Sequence, residues 1–571
     1  MRSDTNSAEI PPGAVFAKQQ DGTARQAQGQ GQKERSSPAI QDLLLNALRR
    51  HRAGQLTEAA RIYRQILAID PHQADSLDLL GMIAYQAGGH ELAVAMIRKA
   101  IAVNRRQASY HSNLGTVLQA QGKLDEAAAC YEQALVLNPN LAEVHVNLGN
   151  IFQAQEKLDE AVARYQYALA LKPELVEAHH GLGNTLQLMQ DDMLEEAVAC
   201  YERALALQPS HAQAHYNLGC ALRALGKVDE ALTQYRMALA LQPDYIAAGF
   251  RESLAQLLRG DFPSGWHNYE KRWQCKPIDH GTPMRAYSQP LWAGETLASG
   301  RLLIWGEQGV GDEIMFAGLL PDVLRTGNRC VLDCDARLKP LFTRSFPGID
   351  VVSGQVSGNG LGNDPGHGPE LDIAAHLPCG SLPGLFRTTR AAFAATTSPY
   401  LIADPVARER FRARYTDADA NGKRLVGLAW HTNNRKTGRY RSIDLSLFAP
   451  LFARPGIRWV SLQYGDHDAL QSQAAAASAT ILIDRSVDQI ANIDIFAAQI
   501  AAMDMVIAID NSTAHLAGAL GIPTWVLLPF APDWRWLRER VDSPWYPTLH
   551  LFRQPKRGDW QSVVQRVWSA L

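Results

Sequence analysis

The sequence predicts a multidomain protein in which an all-α solenoid of helical repeats precedes an α/β pair of Rossmann-like domains. Two observations support this prediction. Prolines recur at steps of 34, 36 or twice 34 residues up to Pro277, and short apolar strands alternate with helical patterns after it. With 571 residues the chain is also too long for one hydrophobic core, which indicates about three or four folded units.

Residues 1–38 are rich in Gln, Gly, Ser and charged residues. Such a segment buries too little apolar surface to offset the entropy lost on ordering. We therefore predict a disordered tail at the start of the chain.

The composition excludes several classes of protein. The chain has 56 basic and 58 acidic residues, so its net charge produces no positive electrostatic field that would attract nucleic acid. Its seven cysteines lack the spacing of a zinc or redox motif, which favours a reducing, cytoplasmic compartment. The first residues lack an apolar signal segment, and no later stretch has about 20 uncharged apolar residues. Neither secretion nor a transmembrane segment is predicted.

Residues 39–277 are predicted to form the solenoid. The prolines that mark its period are Pro71, Pro139, Pro173, Pro209, Pro243 and Pro277. The period, a Leu-Gly pair early in each unit and an Ala-x3-Tyr block late in it are typical of the tetratricopeptide repeat, which is a pair of antiparallel helices. Proline ends the second helix because it cannot supply an in-helix N–H. About six repeats span 39–245, and a diverged seventh caps the stack.

A row of asparagines predicts a peptide groove in the solenoid. Asn113, Asn147 and Asn217 occupy the same position in the first helix of their repeats, and Gly181 interrupts the row. Asparagine amides can bond the backbone of an extended peptide without reading its sequence, so we expect a protein or peptide partner. The repeats resemble those of the protein O-GlcNAc transferases, in which such an asparagine ladder lines the groove. The alternative is that these residues belong to the repeat consensus and face solvent.

After residue 277, two stretches of βαβ alternation predict two parallel sheets covered by helices. We assign residues 278–403 to the first of these domains and residues 404–571 to the second. Ligands of such sheets bind at the carboxyl ends of the strands, so the loops there are the candidate site.

The most specific loop follows an apolar strand that ends at Asp510. Asn511, Ser512 and Thr513 turn the chain there, and a helix begins. Free N–H groups and the macrodipole make such a helix start an anion site, to which the two hydroxyl groups can add donors. The alternative is an ordinary N-cap, since Asn and Ser are favoured at that position in any case.

The residues from Asp510 to Leu520 resemble, in character, the nucleotide-sugar site of the heptosyltransferases, glycosyltransferase family 9. The segment GEQGVGDEIMFAGLLPDV at 306–323 is similar to the N-terminal Gly-Asp segment of that family. The resemblance implies a GT-B fold, inversion at the anomeric centre, a nucleotide-sugar co-substrate, and no metal ion or other cofactor. It places the acceptor on domain 278–403 and the donor on domain 404–571. The donor-binding residues that it implies in the second domain are Asp510, Asn511, Ser512, Thr513 and His515.

A basic loop lies just after a predicted strand of the second domain. It holds Arg435, Lys436, Arg439 and Arg441. A diphosphate leaving group gains negative charge, which Arg, Lys and helix N–H groups stabilise without a metal. Arg435, Lys436 and Arg441 of this loop are therefore predicted to bind the donor. The alternative is a solvated basic turn, because charge runs usually lie on the surface.

Asp312 is the predicted general base, which takes the proton of the acceptor hydroxyl as that oxygen attacks the anomeric carbon. It follows a Gly-rich turn at the carboxyl end of the first strand of its domain. The matching Asp of the family 9 segment is the proposed base of that family. Asp312 could instead be a helix cap, and the rival bases are Glu307, Glu313, His376 and His431.

Two other kinds of site are open alternatives in the first domain. A Gly-x-Gly turn followed by Asp333 and Asp335 partly matches the Gly-x-Gly-x-x-Gly pattern of a dinucleotide-binding site. Ile314 stands at the position of the third glycine of that pattern. The triplet Asp333-Cys334-Asp335 also has the D-x-D form of a metal site. No residue is assigned as a metal ligand.

Four aromatic residues of the second domain have two possible roles. Trp534, Trp536, Trp545 and Tyr546 could stack on a base or an acceptor sugar, or fill a domain seam.

The solenoid points to a large acceptor. A small-molecule transferase has no evident need for so much concave surface, so the acceptor is expected to be a protein or a glycan carrier. The alternative function is a non-catalytic repeat scaffold with a degenerate glycosyltransferase half.

Overall fold

The structure is a computed structural model. It describes residues 38–189, 193–275, 284–354, 356–357, 360–361, 372–396, 399–416, 422–434 and 438–571. The predicted disordered tail lies outside the described residues except for Pro38, which begins the first helix. The expected end of the solenoid at Pro277 also lies outside them. No described helix is long and apolar enough to cross a membrane.

The chain divides into two compact units, Met1–Ala221 and Leu222–Leu571. The first unit consists of helix pairs, which confirms the predicted all-α solenoid. Its helices are α1 (Pro38–Arg52), α2 (Leu56–Ile69), α3 (Ala74–Gln86), α4 (His90–Val103), α5 (Ala108–Ala120), α6 (Leu124–Leu137), α7 (Ala142–Ala154), α8 (Leu158–Leu171), α9 (Val176–Met189), α10 (Leu194–Leu207) and α11 (Ala212–Ala224), within which the unit ends.

Glycine and tyrosine explain the repeated sequence pattern. A methyl group at Gly115 of α5 would lie 2.7 Å from the ring of Tyr131 on α6. Gly149 and Tyr165 repeat the arrangement on α7 and α8, at 2.9 Å. Both rings are fully buried, so the small residue lets the paired helices approach while the ring fills the core.

The last helices of the repeat region belong to the second unit. They are α12 (Val228–Leu241), α13 (Ile246–Arg259) and α14 (Phe262–Tyr269), followed by the 3-10 helix Glu270–Gln274. Arg272 of this 3-10 helix is buried, and its Nε and Nη2 donate to the carboxylate of Glu307 at 3.0 and 2.9 Å. Because Glu307 follows the first strand, a buried ion pair fixes the capping helices to the first sheet.

The first sheet has four parallel strands in the order β3-β2-β1-β6. The strands of this region are β1 (Arg301–Trp305), β2 (Cys330–Asp333), β3 (Ile349–Val352), the antiparallel pair β4 (Val356–Ser357) and β5 (Gly360–Leu361), and β6 (Ile373–Pro378). Its helices are Val310–Ala317, Leu320–Arg325, Lys339–Ser345 and Leu382–Phe386, with the 3-10 helices Cys379–Ser381 and Ala391–Ala395. β1 and β2 are buried along almost their whole length, as expected of parallel strands covered on both faces.

The second sheet has six parallel strands in the order β12-β11-β10-β7-β8-β9. Its strands are β7 (Arg424–Ala429), β8 (Ile457–Ser461), β9 (Ile481–Leu482), β10 (Met505–Ile509), β11 (Thr524–Leu528) and β12 (Leu549–Arg553). Its helices are Pro405–Tyr415, Gly438–Arg441, Ala449–Phe452, His467–Ala476, Ile493–Ala501, Ser512–Ala519 and Trp560–Ala570, with the 3-10 helices Leu445–Phe448 and Trp534–Trp536. Counted from β7, this is the strand order 3-2-1-4-5-6 of a Rossmann fold. The predicted parallel sheets are thus confirmed.

Candidate functional site

The strand order of each sheet marks the place where a ligand crevice forms. The order reverses between β1 and β6 in the first sheet and between β7 and β10 in the second. Ligands of such sheets bind at these switch points, outside the carboxyl ends of the strands. The loop after β1 leads into the helix Val310–Ala317, here called the Asp312 helix, and the loop after β10 leads into Ser512–Ala519, the Ser512 helix. These two loops, which the sequence predicted to carry function, therefore lie at a switch point.

The first turns of these two helices lie against each other. A methyl group at Gly311 of the Asp312 helix would lie 3.6 Å from Cα of Ser512 and 3.5 Å from Cδ2 of His515. A helix N-terminus carries partial positive charge and N–H groups without an intrahelical partner. Two such ends, one from each sheet, therefore meet in one place and favour an anion there.

Asp312 is half-buried and has two partners. Its Oδ2 accepts a hydrogen bond from the N–H of Gly309 at 3.3 Å, and its Oδ1 accepts one from Nη2 of Arg535. The first contact is the helix cap that the sequence left open as an alternative. The second is an ion pair that the sequence did not predict, and the role of Asp312 as a base stays a prediction.

Arg441 is the residue of the basic loop that lies beside the end of β10. Its Nη1 is 3.4 Å from Oδ2 of Asp510, and its Nη2 is 3.8 Å from Oδ2 of Asp533. Burial alone would lower the pKa of Arg441, but the two carboxylates outweigh it and raise that pKa above its ordinary value. Arg441 therefore stays charged although little of its side chain is exposed.

The structure gives less information about the other basic residues of this loop. Arg439 is exposed on the same short helix. Arg435 and Lys436 lie outside the described residues, so their contact with a donor stays a prediction.

Arg535 and Asp533 are candidate residues that the sequence reasoning missed. Nη1 of Arg535 donates to Oδ1 of Asp533 at 2.5 Å, while its Nη2 pairs with Asp312. Burial would lower the pKa of Arg535, but the two carboxylates outweigh it and raise that pKa. In the sequence, the acidic and basic residues on either side of Trp534 are the signal that could have pointed to them.

The predicted donor-binding turn contains buried polar atoms without partners. Asn511 caps the Ser512 helix, because its Oδ1 accepts a hydrogen bond from the N–H of Ala514 at 3.3 Å. Among the described residues, Nδ2 of Asn511, Oγ1 of Thr513 and Nε of both Arg441 and Arg535 have no hydrogen-bond partner. Buried polar groups are normally paired, so these atoms indicate a place for a polar ligand or water.

His515 is held from two sides. Its Nδ1 lies 2.9 Å from Oη of Tyr546, and its ring stacks on Trp536 with the centroids 5.2 Å apart. Burial lowers the pKa of His515 to about 4, and the charge of Arg535 adds to that effect. At neutral pH His515 is therefore an uncharged hydrogen-bonding group.

The tryptophans near the site fill a seam. Trp534 and Trp545 are buried and pack edge-on against Trp266 of α14, at centroid distances of 5.3 and 6.4 Å. Trp545 also packs against Phe393 at 5.0 Å. These contacts agree with the alternative in which the aromatic residues fill a domain seam. They do not form an exposed stacking platform.

The rival general bases lie in different environments. Glu307 is held by Arg272 in the buried ion pair. Burial raises the pKa of Glu313 to about 7. His376 is buried and its pKa is lowered by that burial, whereas His431 is exposed. Glu307 is therefore the least available of the four to take a proton from a substrate.

The Asp333–Asp335 pair is bonded to arginines. Oδ2 of Asp333 accepts a hydrogen bond from Arg285 at 2.6 Å, and Oδ2 of Asp335 accepts one from Arg337 at 2.7 Å. Within the described ranges, no group of three or more His, Cys, Asp or Glu side chains is placed to hold a metal ion. Both carboxylates therefore serve ion pairs in this structure.

The asparagine row of the first unit connects neighbouring repeats. Nδ2 of Asn113 donates to Oδ2 of Asp78 at 2.8 Å, and Nδ2 of Asn217 donates to Oδ1 of Asn184 at 2.7 Å. These two asparagines and Asn147 are half-buried. Bonding between first helices is a role that the sequence did not predict, and peptide binding by this row stays a prediction.

Asp78 makes the stability of the first unit depend on pH. Burial raises its pKa to about 7, above its value of about 3.9 in an unfolded chain. Protonated Asp78 therefore makes its full contribution to the free energy of unfolding below pH 4, and this contribution is lost as the pH rises towards 7. We expect Asp78→Asn to remove this loss, so that its melting temperature relative to the wild type rises between pH 4 and pH 7. Thermal unfolding followed by circular dichroism measures the difference, and a constant difference over that range would contradict the expectation.

Family models place tetratricopeptide repeats in this chain. The model described as TPR repeat matches residues 118–156 and 149–190, and the model described as Tetratricopeptide repeat matches residues 188–246. The predicted repeat class is thus confirmed for the first part of the chain.

A curated relative is Protein FlbA of Caulobacter vibrioides, strain ATCC 19089 / CIP 103742 / CB 15. It is 31% identical over 335 residues, which are 56% of this chain and 54% of FlbA. The chain thus spans about half the length of this relative.

Two of the solved structures that match this chain are those of YrrB and PilF. YrrB, described as a TPR protein with an unusual peptide-binding site, is 23% identical with a TM-score of 0.29, over 33% of this chain and 96% of YrrB. PilF of Pseudomonas aeruginosa is 21% identical with a TM-score of 0.34, over 37% of this chain and 95% of PilF.

Proposed function

We propose that this protein is an inverting glycosyltransferase of the GT-B type that transfers a sugar from a nucleotide-sugar donor to a protein or glycan carrier held by its repeats. One observation carries the proposal. Two helix N-termini, one from each parallel sheet, meet at the strand-order switch points beside Arg441 and Arg535. A diphosphate leaving group needs such a concentration of positive groups as its bond to the sugar breaks. The resemblance of residues 306–323 and 510–520 to family 9 supports the same class of reaction.

The donor diphosphate is proposed to lie against the Ser512 helix. Phosphoryl oxygens suit the free N–H groups of its first turn and the planar fork of Arg441. The unpartnered atoms of Asn511 and Thr513 supply further polar contacts in the same turn. Asp510, at the carboxyl end of β10, can orient Arg441 or a ribose hydroxyl.

The proposed reaction is a single displacement. Asp312 accepts the proton of the acceptor hydroxyl while the oxygen of that hydroxyl forms a bond to the anomeric carbon. The bond from that carbon to the diphosphate oxygen breaks, and the nucleoside diphosphate leaves with the electron pair. Arg441 and the helix N–H groups stabilise its charge, so the proposed step uses no metal ion or other cofactor.

The repeats are proposed to hold the acceptor. Stacked helix pairs expose an extended surface that binds proteins and peptides in this class of repeat. The half-buried row that includes Asn113 and Asn217 lies on first helices of the stack, where a peptide would share these amides with the bonds between repeats. A protein partner is therefore the expected acceptor or its carrier.

One observation favours a second candidate, a non-catalytic scaffold. The proposed donor site already contains three carboxyl groups, those of Asp312, Asp510 and Asp533, paired with its two guanidinium groups. A degenerate site could be neutralised in this way and bind no donor.

Arg441→Ala tests the donor site. We expect it to weaken binding of the donor nucleoside diphosphate roughly ten- to hundredfold, because a lost charge-assisted contact costs about 1.5 to 3 kcal/mol. Isothermal titration calorimetry of the full-length chain measures the change. Arg439→Ala, two residues away on the same helix and exposed, is the matched control and should bind within about threefold of the wild type. Equal losses in the two variants would indicate a diffuse basic surface, and no loss in either would place the donor elsewhere.

A further inference from the structure

Arg535 connects the two halves of the proposed site. It lies on the 3-10 helix Trp534–Trp536 of the second sheet region, and its Nη2 donates to Asp312 on the helix that follows β1. Its Nη1 donates to Asp533, and its Nε has no partner among the described residues. The side chain of Arg535 is only 13% exposed. One guanidinium group therefore holds the proposed base and a second carboxylate, while its Nε is buried without a partner among the described residues.

The backbone beside this ion pair is strained on both sides. Leu537, directly after the 3-10 helix, has φ 51° and ψ −176°, a combination that is essentially restricted to glycine. Gln308, before the Asp312 helix, has φ 66°. Such conformations cluster at ligand clamps and switch regions, where the surroundings hold them in place. Each partner of the ion pair thus lies within a few residues of a strained backbone position.

A phosphate group competes for the same donors as these carboxylates. The guanidinium fork binds carboxylate and phosphate oxygens in the same geometry, and a diphosphate carries more charge than one carboxylate. Arg535 and the N–H of Gly309 each occupy one lone pair of the Asp312 carboxylate, so an acceptor hydroxyl has to compete with them for its oxygens. Opening of the bond between Asp312 and Arg535 therefore makes an oxygen of Asp312 more accessible to that hydroxyl.

We infer that Arg535 exchanges partners when the donor binds. It holds the carboxylate of Asp312 in the donor-free protein and bonds to the donor diphosphate in the complex, which frees Asp312 for the acceptor hydroxyl. The inference rests on the proposed function and adds a second diphosphate-binding residue to it. It also favours an order in which the donor binds first, because Asp312 is then more accessible to the acceptor hydroxyl.

The inference makes an unusual prediction about Asp312→Asn. Inorganic pyrophosphate should bind this variant about fivefold more tightly than the wild type, because a neutral amide competes for Arg535 less strongly than a carboxylate. Arg535→Ala should bind pyrophosphate roughly ten- to hundredfold more weakly. In the double variant, Asp312→Asn should bring no gain. Calorimetric titration of the four full-length proteins with pyrophosphate measures this cycle.

Two further variants serve as controls. Asp494→Asn removes a half-buried carboxylate that pairs with Arg344, and it should leave pyrophosphate affinity unchanged. Arg535→Lys keeps the charge but loses the planar fork that pairs with carboxylate and phosphate oxygens, so the gain from Asp312→Asn should shrink in its background as well. Arg535→Lys replaces Arg535→Ala in the cycle if thermal melting shows that the alanine variant does not fold.

Each outcome decides between the alternatives. Unchanged or weaker pyrophosphate binding in Asp312→Asn overturns the inference, and so does a gain that persists without Arg535. Either result leaves the proposed function standing if a donor still binds. If the wild type binds neither pyrophosphate nor any nucleoside diphosphate, the inference and the donor site both fail. If the cycle behaves as expected but no sugar is transferred, the partner exchange stands and the proposed function fails.

Discussion

In Asp312→Asn, we expect kcat for sugar transfer to fall by about 10² to 10⁴ while donor affinity is retained or increased. The amide cannot take the proton of the acceptor hydroxyl at any pH used for assay. It keeps the size of the carboxylate and an oxygen that can still accept the N–H of Gly309. A lost helix cap would instead cost about 1 kcal/mol of stability and little activity. Initial rates and donor titrations of the same preparation separate the two roles.

Glu313→Gln is the matched control for this prediction. Glu313 is the next residue along the same helix, and the change also converts a carboxyl group to an amide of the same size. We expect a much smaller effect on kcat. A near-normal kcat in Asp312→Asn together with a large fall in Glu313→Gln would move the role of base to Glu313.

In Arg272→Met, we expect the free energy of unfolding of the second unit to fall by about 3 to 5 kcal/mol. The loss leaves the carboxylate of Glu307 buried without its charge partner, and it also removes a bond to Oγ of Ser381 at 2.7 Å. Urea unfolding followed by tryptophan fluorescence measures the change, because many tryptophans lie in this unit.

A double variant separates the unpaired charge from lost packing. Arg272→Met combined with Glu307→Gln should recover a large part of the stability, since no buried charge is then left unpaired. A loss below about 1 kcal/mol in the single variant, or no recovery in the double variant, would contradict the role of this ion pair in fixing the capping helices.

Local patterns made much of the fold predictable. The Gly115–Tyr131 contact recurs as Gly149–Tyr165 and Gly183–Tyr201, because these helix pairs pack in the same way and the sequence repeats with them. The parallel strands could be predicted because buried strands such as Arg301–Trp305 and Met505–Ile509 are short, almost continuous apolar runs. The turn after Asp510 was placed correctly because its capping residues are local signals.

Contacts between distant residues could not be predicted in this way. Asp312 and Arg535 are 223 positions apart, and no periodic or local pattern connects them. The same holds for Arg272 and Glu307, which join the capping helices to the first sheet. Ion pairs of this kind depend on how the sheets and helices pack, and the sequence shows only that charged residues are present.

Calorimetric titration of the full-length protein with sugar nucleotides of UDP, GDP, ADP, dTDP and CMP tests the proposed glycosyltransferase site most directly. We predict that a nucleoside-diphosphate sugar binds to one site per chain, and that the CMP sugar, which has one phosphate, binds most weakly. The binding should be lost or strongly reduced in Arg441→Ala, because that guanidinium lies beside the Ser512 helix. Binding of none of these donors would contradict the proposed function and favour the repeat scaffold.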